Sequence, residues 1–287
     1  MPPQYDDTLS ALRLPDRDDV AEVARRAGEL SLRFFRGELD VTEKPDDAGL
    51  VTQADVACEE LVKAWIAGRF PEHRVLGEES GWTLPAGESR SETTSPTAVW
   101  IIDPIDGTTN FSNGNPYYCV SVACAVLQPD GAATVIAGAI CHPHTGDLYT
   151  AVRGRGTRCN DVPVRVNSNV AFGRASFCTG FSSLKGEALD PVSRAMVSIQ
   201  SRSVGLRING AAALDLAYVS RGISHGFFET SLKPWDLAAG SLLVSEAGGK
   251  VTNLAGAPFD VLRHSDILCA NPSLHAELLL ELHTGPL

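Results

Sequence analysis

The stretch from Trp100 to Phe111 reads WIIDPIDGTTNF, an apolar run that ends in two aspartates three residues apart. If Asp103 and Asp106 are both charged they repel, and a buried unpaired carboxylate is costly, so something positive belongs between them. Other acids stand at comparable points: Asp55 in LVTQAD, Glu78 and Glu79 in GEES, and Asp236 in PWD. Singly, each has a plain structural explanation. Asp55 and Asp236 suit the first turn of a helix, Glu78 and Glu79 suit solvent, and Asp106-Gly107 suits a turn. Together they are an all-oxygen ligand set without His or Cys, which suits a hard cation, magnesium above all. Two such ions bridged by one carboxylate would relieve the repulsion and clamp a phosphoryl group for displacement. Gly107 permits a tight turn, and Thr108-Thr109 would open a short helix whose free N–H groups receive an anion. The Thr108 hydroxyl would orient a water.

These residues need a frame that brings them together. VWII before Asp103 predicts a strand covered on both faces, with the carboxylate at its C-terminal mouth, where α/β sheets place ligands. Apolar spacing predicts a helix from about Asp16 to Phe35 and a second from about Gln53, preceded by a short strand. HRVLGEES reads as a strand ending in acids, and residues 83–97 as a polar surface loop. Strands near 118–127, 134–142 and 147–152, separated by turns, predict an antiparallel sheet. The second half alternates strand and helix: RASFCTGF, DPVSRAMVSIQ, NGAAALDLAYVSRG, SHGFFE, PWDLAAGSLLVSEAGG, KVTN, DILCAN and PSLHAELLLELH. The layout predicts layered α and β: residues 1–160 as an N-terminal α+β lobe with most of the metal ligands, and 161–287 as a C-terminal α/β lobe with Asp236, in one compact unit.

Bulk properties narrow the class. A chain of 287 residues with 44% hydrophobic content can bury a sizeable core. A net charge of −11 argues against a nucleic-acid partner, which would demand a basic surface. The sequence has no apolar run of membrane-spanning length and no basic-then-apolar leader, so no membrane partner and a cytoplasmic location are expected. Seven cysteines, an odd number with no CxxC, predict reduced buried thiols. His142-Pro-His144 lies in a predicted hairpin turn without an acid or Cys ligand pattern, and GRGTRCN, despite its phosphate-loop look, reads as a strand connection. Trp65, Trp82, Trp100 and Trp235 read as packing residues, and Arg25 and Arg26 as a solvated helix face.

WIIDPIDGTTNF and PWDLAAGSLLVSEAGGKVT, with LVTQAD, GEES and GAAALDLAYVSRGISHGFFE in order between and before them, resemble the inositol monophosphatase family of magnesium-dependent sugar and polyol phosphatases. The resemblance runs from about residue 18 to 282 and implies an αβαβα sugar-phosphatase fold. It implies a first metal site from Glu78, Asp103 and the Ile105 carbonyl, a second from Asp103, Asp106 and Asp236, and two to three Mg²⁺ ions per site. It implies that Asp55 and Thr108 activate the attacking water, with Glu78 sharing that role. It further implies that the Gly107 and Thr108 N–H groups hold phosphate, and that Glu229 and the backbone from Gly210 to Ala212 contact the alcohol. Lys44 occupies the place of a loop lysine. The implied activity is hydrolysis of inositol 1-phosphate, with histidinol phosphate or fructose 1,6-bisphosphate as alternative substrates. A homodimer follows from the resemblance, and a regulatory protein retaining the fold is the alternative of another class. Lys233, beside Asp236, would face solvent or add positive charge for a second anionic group.

Overall fold

The computed structural model describes residues 12–43, 50–88, 94–180 and 189–284. Its first helix, α1 (Arg17–Phe34), buries Val20, Val23, Ala24 and Ala27, the stripe that helical spacing predicts. Asp16 caps it, with Oδ1 accepting from the N–H groups of Asp18 and Asp19 at 2.9 and 3.0 Å. An antiparallel pair, β1 (Val41–Glu43) and β2 (Leu50–Thr52), leads into α2 (Gln53–Arg69).

The large sheet is built from β3 (Arg74–Gly77), β4 (Gly81–Thr83), β5 (Thr97–Asp106), β6 (Cys119–Leu127), β7 (Ala133–His142), β8 (Asp147–Val152), β9 (Thr157–Cys159) and β10 (Val162–Val164). Their spatial order is β10-β9-β8-β7-β6-β5-β3-β4. Neighbours pair antiparallel except β3 and β5, which run parallel. A short helix, α3 (Thr108–Ser112), follows β5. The smaller sheet contains β11 (Ser176–Thr179), β12 (Gly205–Arg207), β13 (Gly226–Glu229), β14 (Lys250–Thr252) and β15 (Ile267–Ala270), in the order β12-β11-β13-β15-β14. The remaining helices are α4 (Leu189–Arg202), α5 (Ala212–Ser220), α6 (Pro234–Glu246) and α7 (Pro272–Thr284).

Five layers result. On β5, Ala98, Trp100 and Ile102 face the core under α1 and α2, while Val99 and Ile101 face the core shared with α5 and α6. This two-sided burial is why the strand reads as a continuous apolar run rather than an alternating one. Leu214, Leu216, Leu237 and Leu243 fill the space between the two sheets. Ile199 of α4 and Leu274 and Leu278 of α7 close the far face against Phe177, Phe228 and Leu268. The layered α/β expectation and the long predicted elements hold. The strands β1, β4, β10 and β12, each three residues long, were not expected. The predicted loop over 83–97 yields Thr83 to β4, and residues 89–93 of it lie outside the described residues. All seven cysteines are free and buried. Among the described residues no helix is long and apolar enough to cross a membrane.

Candidate metal centre and phosphate cleft

Parallel pairing of β3 with β5 sets Gly77 beside Ile102, so the strand ends carrying Glu78 and Asp103 emerge side by side. The Glu78 N–H donates to the Ile102 carbonyl at 3.1 Å. The register of β5 against β6 then shifts between Asp103 and Asp106, an irregularity that turns the second carboxylate toward the same cleft. Gly107 follows with φ 93°, the left-handed region that an L side chain resists, and starts α3. A Cβ on Gly107 would also lie 3.1 Å from the Gly210 carbonyl oxygen and 3.2 Å from that of Tyr117.

Asp103 (1% exposed) and Asp106 (7% exposed) are buried, and Asp236 is half-buried. One carboxylate oxygen from each lies within 4.8 Å of the others. Asp106 Oδ2 accepts from the N–H of Ala213 at 2.8 Å and of Leu214 at 3.3 Å, so it caps α5 from elsewhere in the chain. Cys119 Sγ lies 3.5 Å from the same oxygen. Asp236 Oδ2 accepts from the Lys233 N–H at 2.7 Å, and Lys233 itself is exposed. Trp235 packs on the central core, and its carbonyl receives the Ser121 hydroxyl at 3.3 Å. Burial, followed by the charges of Glu78, Asp106 and Asp236, pushes the Asp103 carboxyl well above the usual range. Burial and Asp236 push Asp106 up as well, against the lowering effect of the Leu214 and Ala213 N–H bonds.

The residues fit a hard cation. Asp103 Oδ1 is buried with no hydrogen-bond partner, which is costly for a carboxylate unless a positive charge faces it. No other group of three His, Cys, Asp or Glu side chains converges in this way among the described residues. Glu78 and Ile105 line the same cleft, of about 410 Å³, with Asp103, Asp106 and Asp236.

Asp55 is fully buried and serves two partners at once. Its Oδ2 accepts from the Thr52 N–H at 2.8 Å and the Thr52 hydroxyl at 2.6 Å, closing the start of α2. Its Oδ1 faces the Thr108 hydroxyl at 3.3 Å, and that hydroxyl lies 3.0 Å from the Ile105 carbonyl. Gly107, Thr108, Gly210, Ala212 and Glu229 all line the cleft. Glu229, 6% exposed, is pushed up to about 9 by burial first, then by Asp236, Asp215 and Asp106. Lys44 lies outside the described residues.

Asp215 is a cleft residue that sequence reasoning missed. It is 1% exposed, and its Oδ1 accepts from Tyr117 Oη and Asn209 Nδ2, each at 2.6 Å. Burial nonetheless raises it to about 6, with those two bonds acting in the opposite direction. Its place in an Ala-rich helix drew no attention, although an acid within NGAAALDLAY was the available signal. Glu78 and Glu79, for which solvent was the plain structural explanation, are both half-buried. His142 takes no part: its Nε2 contacts the Pro116 carbonyl at 3.0 Å. The glycine-rich turn of GRGTRCN holds an internal anion, with the N–H groups of Gly154 and Gly156 meeting the two Glu246 oxygens at 2.8 and 2.9 Å.

The model of the inositol monophosphatase family matches residues 16–285. The chain belongs to that family. Among similar proteins, the putative Nus factor SuhB of Neisseria meningitidis serogroup B is 37% identical over 270 residues, covering 92% of this chain and 97% of that one. The inositol-1-monophosphatase of Caulobacter vibrioides is 33% identical over 269 residues, covering 93% and 100% respectively. The crystal structure of the extragenic suppressor protein SuhB from Bartonella henselae superposes with a TM-score of 0.83 at 32% identity, over 93% of this chain and 98% of that one. An inositol monophosphatase is typically metal-dependent, in keeping with the acidic cluster.

Proposed function

We propose that this inositol monophosphatase relative is a Mg²⁺-dependent phosphomonoesterase that hydrolyses inositol 1-phosphate to inositol and phosphate. The observations that carry the reading are the convergence of Asp103, Asp106 and Asp236 and a buried Asp103 oxygen without a partner. Glu78, Asp103 and the Ile105 carbonyl would hold one ion, and Asp103, Asp106 and Asp236 a second, with room for a third, weaker ion near Glu78. Bound magnesium supplies positive charge that lowers the pKa of water and offsets charge on the phosphoryl oxygens.

The chain's own groups do the rest. The Thr108 hydroxyl orients a water toward phosphorus, and Asp55 Oδ1, 3.3 Å from that hydroxyl, takes the proton. Glu78 is placed to share that proton. The N–H groups of Gly107 and Thr108 receive the phosphate. Glu229 and the backbone of Gly210 to Ala212 accept and donate to the hydroxyls of the leaving alcohol. Histidinol phosphate and fructose 1,6-bisphosphate are the alternative substrates. We read the two lobes, divided near residue 160, as one unit in the cytoplasm, and the functional particle as a homodimer.

The test is phosphate release with Mg²⁺ from inositol 1-phosphate, histidinol phosphate, fructose 1,6-bisphosphate and an adenosine bisphosphate. The highest kcat/KM on inositol 1-phosphate supports the proposal, a higher value on another substrate replaces the substrate, and release from none rejects phosphatase function. The Nus factor name of the Neisseria relative favours a second reading, a regulatory protein that retains the fold and acts through a partner surface. A cellular role that survives Asp103→Asn while phosphate release is lost would favour that second reading.

A further inference from the structure

Glu59 is a buried acid, 2% exposed, that the proposed chemistry leaves without a task. It lies on α2 one turn after Asp55. Its Oε2 accepts from the Glu79 N–H and its Oε1 from the Ser80 N–H, both at 2.9 Å. Both donors belong to the turn that follows β3 and presents Glu78. Paired N–H donors on one carboxylate are the stronger, charge-assisted kind of hydrogen bond, and their two-point geometry fixes the orientation of that turn.

The chain makes room for this contact. A Cβ on Gly77 would lie 2.5 Å from Glu59 Oε2 and 2.7 Å from Oε1, so only glycine lets the carboxylate reach beneath the turn. On the other side, the Glu78 N–H is tied to the Ile102 carbonyl of the strand that carries Asp103. Glu78 is thereby held between the helix of Asp55 and the strand of Asp103.

We infer that Glu59 is a positioning residue of the metal centre, which sets the place of Glu78 relative to Asp103 through the backbone of Glu79 and Ser80. The inference rests on the proposed cation site. A residue that only stabilised the fold would change the melting temperature and leave cation affinity untouched. A positioning residue changes the affinity of a protein that is still folded.

The experiment is direct titration of Mn²⁺, as a spectroscopic stand-in for Mg²⁺, into the substrate-free full chain, followed by electron paramagnetic resonance. Glu59→Gln is the first variant, because its amide presents one acceptor and one donor to two N–H groups. The expected result is binding weaker by about 10- to 100-fold with cooperative unfolding retained, the range for outer partners of metal ligands. Unchanged affinity in folded Glu59→Gln overturns the inference. If that variant does not fold, Gly77→Ala is read by the same two outcomes, since its methyl group displaces the carboxylate from the turn. Absence of Mn²⁺ binding by the unaltered chain would instead reject the cation site itself, which separates that failure from this one.

Discussion

Asp103→Asn should make the metal-free protein more stable while removing the proposed phosphatase activity. The carboxylate oxygens of Asp103, Asp106 and Asp236 that converge lie within 4.8 Å. At that separation, with an effective dielectric constant of about 20, a pair of unit charges repels by about 3 kcal/mol. The raised Asp103 and Asp106 carboxyls mean that protonation already relieves part of this. A buried amide with imperfect partners gives back about 1 kcal/mol. The net gain expected is about 1–2 kcal/mol near neutral pH, which is about 2–4 °C in melting temperature for a chain of this size. In Mg²⁺ at about 100 times its dissociation constant, the unaltered protein gains about 2.7 kcal/mol and the order reverses. Thermal unfolding in chelator and in Mg²⁺, beside phosphate release, measures both halves. Lower stability of Asp103→Asn in chelator would refute the reasoning, because the acids would then be structural partners rather than charges held apart for a cation.

Thr108→Val keeps the shape of a side chain whose hydroxyl faces Asp55 and the Ile105 carbonyl, so kcat should fall by about 10²–10⁴ with the melting temperature within a few degrees of the parent. Gly240→Ala should cost about 1–3 kcal/mol in denaturant unfolding, because its Cβ would lie 2.5 Å from Leu216 Cβ and Cδ1; adding Leu216→Ala should recover part of that loss. His275 is fully buried, and burial followed by the Lys250 charge lowers it to about 4. The unfolded chain therefore binds the extra proton first, so stability is fully present above pH ~6.5 and falls by up to roughly 3 kcal/mol as the pH drops toward 4. His275→Gln should flatten that stretch of the stability–pH curve.

The long elements were legible because burial leaves a period: α1 by its 3.6-residue stripe, β5 to β8 by apolar runs between turns. The order of the strands was not legible. Nothing within HRVLGEES or VWIIDPID says that β3 runs parallel to β5, yet this pairing sets Glu78 beside Asp103. Asp215 escaped notice for a related reason, since its partner Tyr117 reaches it from a distant segment of the chain.

The candidate site was legible only as a set, and the structure gives the reason. Asp55, Asp106 and Asp236 each make a structural bond and each also lie where the proposed chemistry would use them. Asp55 closes the start of α2 with Oδ2 and meets Thr108 with Oδ1. Asp236 closes the start of α6 through the Lys233 N–H while a carboxylate oxygen of the same residue joins the cluster. Asp106 ends β5 just before the turn at Gly107 and also caps α5. A carboxylate has two oxygens and about four lone-pair sites, so one acid can anchor a helix end and still face a cation. Helix starts are where this double use is least costly, because their N–H groups favour negative charge and hold the carboxylate in a fixed rotamer. The rigidity that a metal centre needs is then supplied by the same bonds that begin the helices. Weakening a cap and misplacing a ligand become one event, and the cap variant Thr52→Val should lower kcat together with stability, where loss of stability alone would show the two uses to be separable.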